Sequence, residues 1–206
     1  MDKNTAWLAA RFRPDVLIDV GANDGAYGAF LQKQFGAQVV HAFEPLPQYA
    51  DALAARRFVV HPVALSDRAG EADFHLNAYP AASSLLPTTD LCRKEYPQTA
   101  RSSTCRVRLA RLDDELPDPP QDSLVKIDAQ GHEIQVIRGG RKVLSAARAI
   151  LIEMTFMPLY EGQALFNKVH AELDALGFEM RGFLSQFRRE GTGDPLFAHC
   201  AYVRRD

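Results

Sequence analysis

The stretch that decides the fold is residues 16–25, Val-Leu-Ile-Asp-Val-Gly-Ala-Asn-Asp-Gly, together with Phe-Glu-Pro at residues 43–45. An apolar run that ends in an acid, a turn with two glycines and then apolar residues at helical spacing predict a strand, a tight loop and a helix. Residues 39–43 predict a second strand. Glu44 follows it, about 20 residues beyond the loop, where an acid accepts hydrogen bonds from ribose hydroxyls. The two signals together predict a site for a nucleoside cofactor.

The spacing of the loop glycines indicates which nucleoside cofactor is bound. Aligned on Gly21, the dinucleotide pattern G-x-G-x-x-G requires glycine where Asn23 and Ala26 stand. An acid at Asp19 followed by Gly21, Asn23 and Gly25 instead fits the first motif of S-adenosylmethionine-dependent methyltransferases. The Asp19 carboxylate would hold the ammonium of that cofactor directly or through water. The alternative for Asp19 is a cap of the following turn.

Length and composition bound the remaining possibilities. With 206 residues and 47% hydrophobic content, we expect one α/β domain over residues 1–206, with an N-terminal extension at 1–14 and a variable loop or lid at 77–111. A net charge of −2 gives no general attraction for nucleic acid or for an anionic membrane. The longest apolar runs are far shorter than the roughly 20 residues that span a bilayer. Three cysteines without disulfide or metal-ligand spacing are typical of a cytoplasmic protein. A homodimer is also compatible with the sequence.

The alternation of elements predicts a doubly wound, mostly parallel, seven-stranded sheet with helices on both faces and a C-terminal antiparallel hairpin. The third strand is expected over residues 58–65, and further strands over 124–128 and 149–154. One helix is predicted around residues 134–144, although Gly139 and Gly140 weaken it. Ligands of such sheets bind at the carboxyl ends of the strands, so the polar residues at those ends are the candidate site.

The order of the motifs resembles that of the FkbM-type methyltransferases. The motifs that carry the resemblance are residues 19–25, 42–45, 64–67 with Gly70, 83–86, 112–114, 126–133 and 139–140. The resemblance covers most of the chain and implies a Rossmann-like methyltransferase fold. It also implies S-adenosylmethionine-dependent O-methylation of a hydroxyl on a sugar, glycolipid, polyketide or related natural product. Residues 88–104 carry no family pattern, so the acceptor stays open.

Cofactor contacts are expected at the ends of the first four predicted strands. The candidates are Asp19, Gly21, Asn23, Gly25, Glu44, Pro45, Ser66, Asp67 and Asp128. Asp67 could accept the exocyclic amine of adenine, and its alternative is an ordinary turn that ends at Gly70. Ser83 and Ser84 begin the 77–111 insertion and could reach the cofactor or the acceptor.

A sugar-type hydroxyl needs a base, whose help is typically worth about 10²–10⁴-fold in rate. The candidate catalytic residues are Asp128, His132 and Glu153. Each has a structural alternative: a helix cap for Asp128, a helix-start contact for His132, and an ion pair with Arg148 or Arg181 for Glu153. Asp128 and Glu153 could hold a metal as oxygen ligands, but two acids do not make a metal site, and we predict none.

The segment from Thr88 to Arg111 carries six basic residues against two acids. It could act as a lid over an acceptor that bears phosphate or carboxylate, or it could be a solvated loop with an edge strand. Two other functions compete with the methyltransferase. A nicotinamide oxidoreductase would share Gly21, Gly25 and Glu44, and a non-catalytic module would keep the cofactor site without the chemistry. The acidic balance of charge disfavours an RNA methyltransferase.

Overall fold

Helices and strands alternate along residues 3–205, the part of the chain that the computed structural model describes. The helices are α1 Lys3–Ala9, α2 Ala26–Phe35, α3 Ala50–Ala55, α4 Asp90–Glu95, α5 Leu112–Glu115, α6 Glu133–Gly139, α7 Arg141–Ala146 and α8 Phe166–Ala175. The strands are β1 Val16–Val20, β2 Val39–Phe43, β3 Val59–His61, β4 Ala64–Leu65, β5 Gly70–Asn77, β6 Ser102–Ala110, β7 Leu124–Ile127, β8 Ala149–Thr155, β9 Phe178–Arg188 and β10 Pro195–Arg204. Residues 1 and 2 of the predicted extension, and residue 206, lie outside the described residues.

The main sheet has seven strands in the order β3-β2-β1-β7-β8-β10-β9. Neighbours from β3 to β8 run parallel, whereas β10 runs antiparallel to both β8 and β9. The chain order reverses between β1 and β7, which creates a crevice at the carboxyl ends of these strands. The predicted doubly wound sheet with a C-terminal hairpin is confirmed.

Both faces of the main sheet are buried, as its parallel strands require. Ile18 of β1 packs in a cluster with Ile137 of α6 and Leu173 of α8. Leu17, its neighbour on the strand, points to the other face and packs with Leu31 of α2. The N-terminal extension contributes to that second layer through α1, where Leu8 is buried and the Gln34 amide donates to Thr5 Oγ1 over 2.5 Å. None of the helices within residues 3–205 combines the length and apolarity needed to cross a bilayer.

The predicted third strand divides between two sheets. β3 pairs with β2 in the main sheet, whereas β4 pairs with β6 in a second sheet of order β4-β6-β5. Pro62 lies between the two pieces and has no backbone N–H to donate to a sheet ladder. The prediction of one continuous strand over 58–65 was therefore wrong. The second sheet covers the main sheet beside the carboxyl ends of its parallel strands.

Much of the predicted insertion at 77–111 is regular structure. β6 pairs along its length with β5 and lies in the centre of the second sheet, so it is neither a loop nor an edge strand. The alternation of Arg106, Val107, Arg108 and Leu109 explains this strand, because the arginines are exposed and the two apolar residues are buried. The apolar face of β6 packs with Phe74 of β5.

The predicted helix over 134–144 is two helices, α6 and α7, which meet at Gly139 and Gly140. A Cβ atom on Gly139 would lie 1.9 Å from the carbonyl oxygen of Ser66. The glycine therefore allows the helix to contact the loop after β4, and this contact joins the second sheet to the main one.

The Gly139 contact yields a test of the fold. Gly139→Ala should lower the free energy of unfolding by about 1–3 kcal/mol, because backbone atoms of Ser66 must move to admit the methyl group. Ser145→Ala is the control, since this position of α7 is exposed and the substitution should change the free energy of unfolding by less than about 0.5 kcal/mol. Urea unfolding measures both variants, and equal losses would contradict the proposed close contact.

Candidate functional site

A cavity of about 550 Å³ opens at the carboxyl ends of β1, β2, β7 and β8, between the main sheet and the second sheet. We call it the cleft. Of the predicted site residues, those that line it are Gly21, Asn23, Glu44, Pro45, Asp128, His132 and Glu153. Among the described residues, Asp19, Gly25, Ser66 and Asp67 do not line it. Its volume is in the range of pockets that enclose a small ligand.

The loop after β1 is held by the end of β2. The backbone N–H groups of Gly21 and Ala22 both donate to the Phe43 carbonyl, at 3.0 and 3.1 Å. Glu44 accepts from the backbone of Asn23 at 2.9 Å through one carboxylate oxygen, and from Leu46 at 3.0 Å through the other. The carboxylate therefore fixes the loop on one side, and each oxygen keeps a further lone pair for a ligand hydroxyl.

Asp19 lies behind the loop in an ion pair. Its carboxylate is 3.1 Å from the Lys126 ammonium of β7, and it is only 1% exposed. The Lys126 ammonium also donates to the carbonyl oxygens of Val20 and Gly21, at 3.0 and 2.6 Å. Burial alone would lower the pKa of Lys126, but Asp19, Asp128 and Glu44 outweigh it and raise that pKa. The structure thus places Asp19 in support of the loop and not in direct reach of the cleft.

Ser66 and His132 contact each other on the side of the cleft next to the second sheet. Ser66 Oγ lies 3.0 Å from His132 Nε2 and 3.3 Å from Asp67 Oδ1. Burial lowers the pKa of His132 to about 4, so its imidazole is neutral at physiological pH. The structure therefore brings His132 together with Ser66 and Asp67, and of these three residues only His132 lines the cleft.

The most polar part of the cleft lies at the ends of β7 and β8. The Gln130 amide donates to Asp128 Oδ1 over 2.5 Å and approaches Glu153 Oε1 at 3.5 Å. His199 is opposite Glu153 in the β8–β10 pairing, and its Nε2 lies 3.7 Å from Glu153 Oε2. Burial, followed by the charges of Asp128 and Glu133, raises the pKa of Glu153 well above its ordinary value. Neither Arg148 nor Arg181, the expected partners, forms an ion pair with Glu153 among the described residues.

The turn between β7 and α6 is held by Ser84 of the 77–111 segment, by Tyr160 and by Glu133. The Ser84 hydroxyl donates to the Gln130 carbonyl over 2.6 Å, and the Tyr160 hydroxyl donates to Gln130 Oε1 over 2.6 Å. From inside, one carboxylate oxygen of Glu133 accepts from Ala129 and Gly131, both at 3.0 Å. Ser84 thus acts on the backbone of the turn that carries Asp128, and Glu133 caps that turn.

The basic residues of the 88–111 segment are largely paired with acids. Arg106 forms ion pairs with Glu71 and Asp73, and Arg108 with Glu115. Arg93 and Arg111 also have acidic partners. No arginine is among the described residues that line the cleft, so these pairings give no support to an acceptor that bears phosphate or carboxylate.

The side chains that line the cleft fit S-adenosylmethionine. Glu44, Asp128 and Glu153 place carboxylates along the cleft, which suits a ligand with both a sulfonium and an ammonium charge. Phe43, Tyr49 and Phe74 supply aromatic surface to the same cavity.

Lys126, Gln130 and His199 line the cleft but were not among the predicted site residues. Lys126 was visible in the 126–133 motif, whereas no sequence pattern pointed to His199, whose position depends on strand register.

Comparisons with known proteins agree with this geometry. The family model described as "Methyltransferase FkbM domain" matches residues 19–180. The 2-O-methyltransferase NoeI of Sinorhizobium fredii (strain NBRC 101917 / NGR234) is 34% identical over 200 residues, which cover 89% of this chain and 79% of NoeI.

Two solved structures resemble the fold at low sequence identity. Magnesium protoporphyrin IX methyltransferase (ChlM) from Synechocystis PCC 6803, with bound SAM, has a TM-score of 0.53 and 11% identity over 99% of this chain and 77% of its own. Sp1610 of Streptococcus pneumoniae, in complex with S-adenosyl-L-methionine, has a TM-score of 0.51 and 11% identity over 100% of this chain and 75% of its own.

The sheet order, the loop held by Glu44 and the acidic cleft define an S-adenosylmethionine-dependent methyltransferase. More narrowly, the family match and the relative show that the chain belongs to the FkbM methyltransferase family. The cofactor is S-adenosyl-L-methionine, as the motif predicted. The alternatives of a nicotinamide oxidoreductase and a non-catalytic module were wrong.

Glu44 provides a test of the cofactor site. In Glu44→Gln, the side chain has a single acceptor oxygen, so the N–H of Asn23 or of Leu46 loses its partner. We expect the affinity for S-adenosylhomocysteine to fall by about tenfold, or roughly 1.4 kcal/mol. Isothermal titration measures it, with the exposed Glu190→Gln as a control that should bind like the wild type. Unchanged affinity in Glu44→Gln would show that the loop does not depend on both bonds.

Glu133 provides a test of pH dependence. Burial raises the pKa of Glu133 to about 7 from an ordinary value near 4.5, so the folded state binds a proton more tightly than the unfolded state does. The free energy of unfolding should therefore fall as the pH rises through that interval and level off above it, by about 1–3 kcal/mol. Glu133→Gln keeps both backbone hydrogen bonds without a charge and should lack this loss.

Urea unfolding of the wild type and of Glu133→Gln at about pH 5 and about pH 8 makes the comparison. The difference between the two proteins isolates Glu133 from other titrating groups. Parallel pH profiles would contradict a raised pKa for this carboxyl.

Proposed function

We propose that the enzyme methylates a hydroxyl oxygen of a sugar, glycolipid, polyketide or related natural product. The observation that carries the proposal is the convergence of Asp128, Glu153 and His199 in the cleft. A hydroxyl is a poor nucleophile until its proton is removed, and a carboxylate pair is suited to remove it. The 2-O-methyltransferase activity in the name of the relative NoeI supports the same type of acceptor.

Each side of the cleft has its own task in this proposal. S-adenosylmethionine, when bound, supplies an activated methyl carbon on a positively charged sulfur. Glu44 and the 21–25 loop orient the adenosyl group, and the Asp128 side of the cleft holds the acceptor oxygen in line with the methyl. Positioning of this kind supplies a large share of the rate in a displacement reaction.

We assign proton removal to Glu153. Its raised pKa makes it a stronger base than an ordinary carboxylate, and a cationic ligand in the cleft favours its ionised form. Gln130 and Asp128 orient it. His132 is no longer proposed as the base, because its pKa is lowered and its ring contacts Ser66. Glu153 would receive the hydroxyl proton as the acceptor oxygen bonds to the methyl carbon and the methyl–sulfur bond breaks.

We propose that the residues of the 77–111 segment that cover the cleft select the acceptor. Pro80, Ala81, Ser83 and Leu85 of the 77–111 segment line the cleft beside residues of the main sheet. These groups are small or apolar, and they suit the body of a neutral acceptor.

We also propose that the enzyme acts in the cytoplasm, where its free cysteines Cys92, Cys105 and Cys200 would stay reduced. We further propose that it does not act on nucleic acid and that it can form a homodimer.

The type of acceptor atom is tested by a panel of neutral glycans, glycolipids and polyketide alcohols with labelled cofactor. We expect a methyl ether as product, identified by mass spectrometry and nuclear magnetic resonance. Methylation confined to nitrogen, carbon or RNA would refute the proposal.

The division of roles is tested by two variants. Glu153→Gln should reduce turnover by about 10²–10⁴-fold, because a general base is lost, while its affinity for S-adenosylhomocysteine stays close to that of the wild type. Glu44→Ala should show the opposite pattern, with weaker cofactor binding as its main defect. Loss of cofactor affinity in both variants would contradict the division.

A further inference from the structure

Three side chains in the cleft converge on one point. Asp128, Glu153 and His199 each offer a ligand atom, and these atoms lie within 4.8 Å of one another. Asp128 follows β7, while Glu153 and His199 are register partners on β8 and β10. Three adjacent strands therefore present two carboxylates and one imidazole to the same space.

Glu153 lacks a partner of normal length among the described residues. Its side chain is 8% exposed, and its nearest polar neighbours are the Gln130 amide at 3.5 Å and His199 Nε2 at 3.7 Å. Hydrogen bonds of this kind are usually 2.7–3.2 Å long. A buried carboxylate without such a bond is costly, and the cost rises when a second carboxylate is close. The arrangement therefore calls for a positive group between them.

His199 is prepared to act as a metal ligand. Its Nδ1 lies 2.7 Å from the Ser185 hydroxyl, and a proton on Nδ1 that is donated to Ser185 leaves the Nε2 lone pair facing Glu153. A second partner that fixes the ring in this way is typical of metal-binding histidines.

We propose that Asp128, Glu153 and His199 bind one divalent cation, Mg²⁺ or Mn²⁺, with open positions toward the cleft. Two carboxylates balance its charge, and oxygen-rich sites with one imidazole suit such hard cations. The sequence predicted no metal because only the two acids were recognised, and His199 supplies the third ligand.

The role of the cation rests on the proposed function. An acceptor hydroxyl that completes the coordination is oriented toward the methyl group, and its pKa is lowered by the charge of the cation. Glu153 can bind through one oxygen and keep the other to receive the hydroxyl proton. The cation would thus bind and activate the acceptor on the side of the cleft opposite Glu44.

Direct binding of Mn²⁺ tests the site without any acceptor. Electron paramagnetic resonance titration of metal-free enzyme with Mn²⁺, with S-adenosylhomocysteine present, should show one saturable site. His199→Ala and Glu153→Gln should each weaken binding by at least about tenfold, as the loss of a ligand does. His41→Ala is the control, because it removes a histidine of β2 that does not line the cleft, and it should bind Mn²⁺ like the wild type.

The melting temperature gives a second measurement of Mn²⁺ binding, which also applies to a variant that folds too poorly to be titrated. Mn²⁺ should raise the melting temperature of the wild type and of His41→Ala, but not of Glu153→Gln. No saturable binding at millimolar Mn²⁺, or binding that His199→Ala and Glu153→Gln leave unchanged, would overturn the metal site. Full methyl transfer by chelator-treated enzyme would overturn the role of the cation and leave O-methylation intact. Mn²⁺ binding by an enzyme that methylates only nitrogen would overturn the proposed function and leave the site intact.

Discussion

The site depends on one buried cation, the ammonium of Lys126. It contacts the Asp19 carboxylate of β1 and the carbonyl groups of Val20 and Gly21, so it joins β7 to the loop for which cofactor contacts are predicted. Removal of one partner from such a buried pair typically costs about 3–5 kcal/mol, because the other charge is left without compensation. The close approach also requires Gly21, since a Cβ there would lie 2.0 Å from the Asp128 carbonyl oxygen. The geometry of the cofactor loop and that of the Asp128 turn are therefore set together.

The charge distribution of the cleft follows from this arrangement. Lys126 directs its donors at the loop and at Asp19, so its charge is largely compensated there, while Glu44, Asp128 and Glu153 remain directed at the cavity. The cleft thus has an excess of negative charge, which suits the cationic cofactor. Burial is the main cause of the raised pKa of Glu153, and the nearby charges of Asp128 and Glu133 add to it.

The sequence predicted the main sheet well because its information is local. Apolar runs such as residues 16–20 and 124–127 and the glycines of the loop appear in the order in which they are used. The sequence failed where distant contacts decide. Asp19 has the expected position on its strand, but its ion pair with Lys126 could not be read from the sequence. His132 lines the cleft, but its contact with Ser66, which follows β4, could not be read from the sequence.

Two other differences have the same origin. Pro62 divides one apolar run between two sheets, and the residues of β6 alternate as in a strand although its partners β4 and β5 are distant in sequence. The clearest case is His199, which reaches the site through the antiparallel pairing of β10 with β8. The register of that pairing cannot be read from residue types.

The division of the third strand has a mechanical consequence. Only Pro62 and Val63 separate β3 from β4, and the Val63 N–H bonds back to the His61 carbonyl over 2.9 Å. The Gly139 contact fixes the far end of β4. The second sheet is therefore attached to the main sheet at both ends of its shortest strand, β4. We expect this double attachment to disfavour a rigid-body movement of the second sheet away from the cleft.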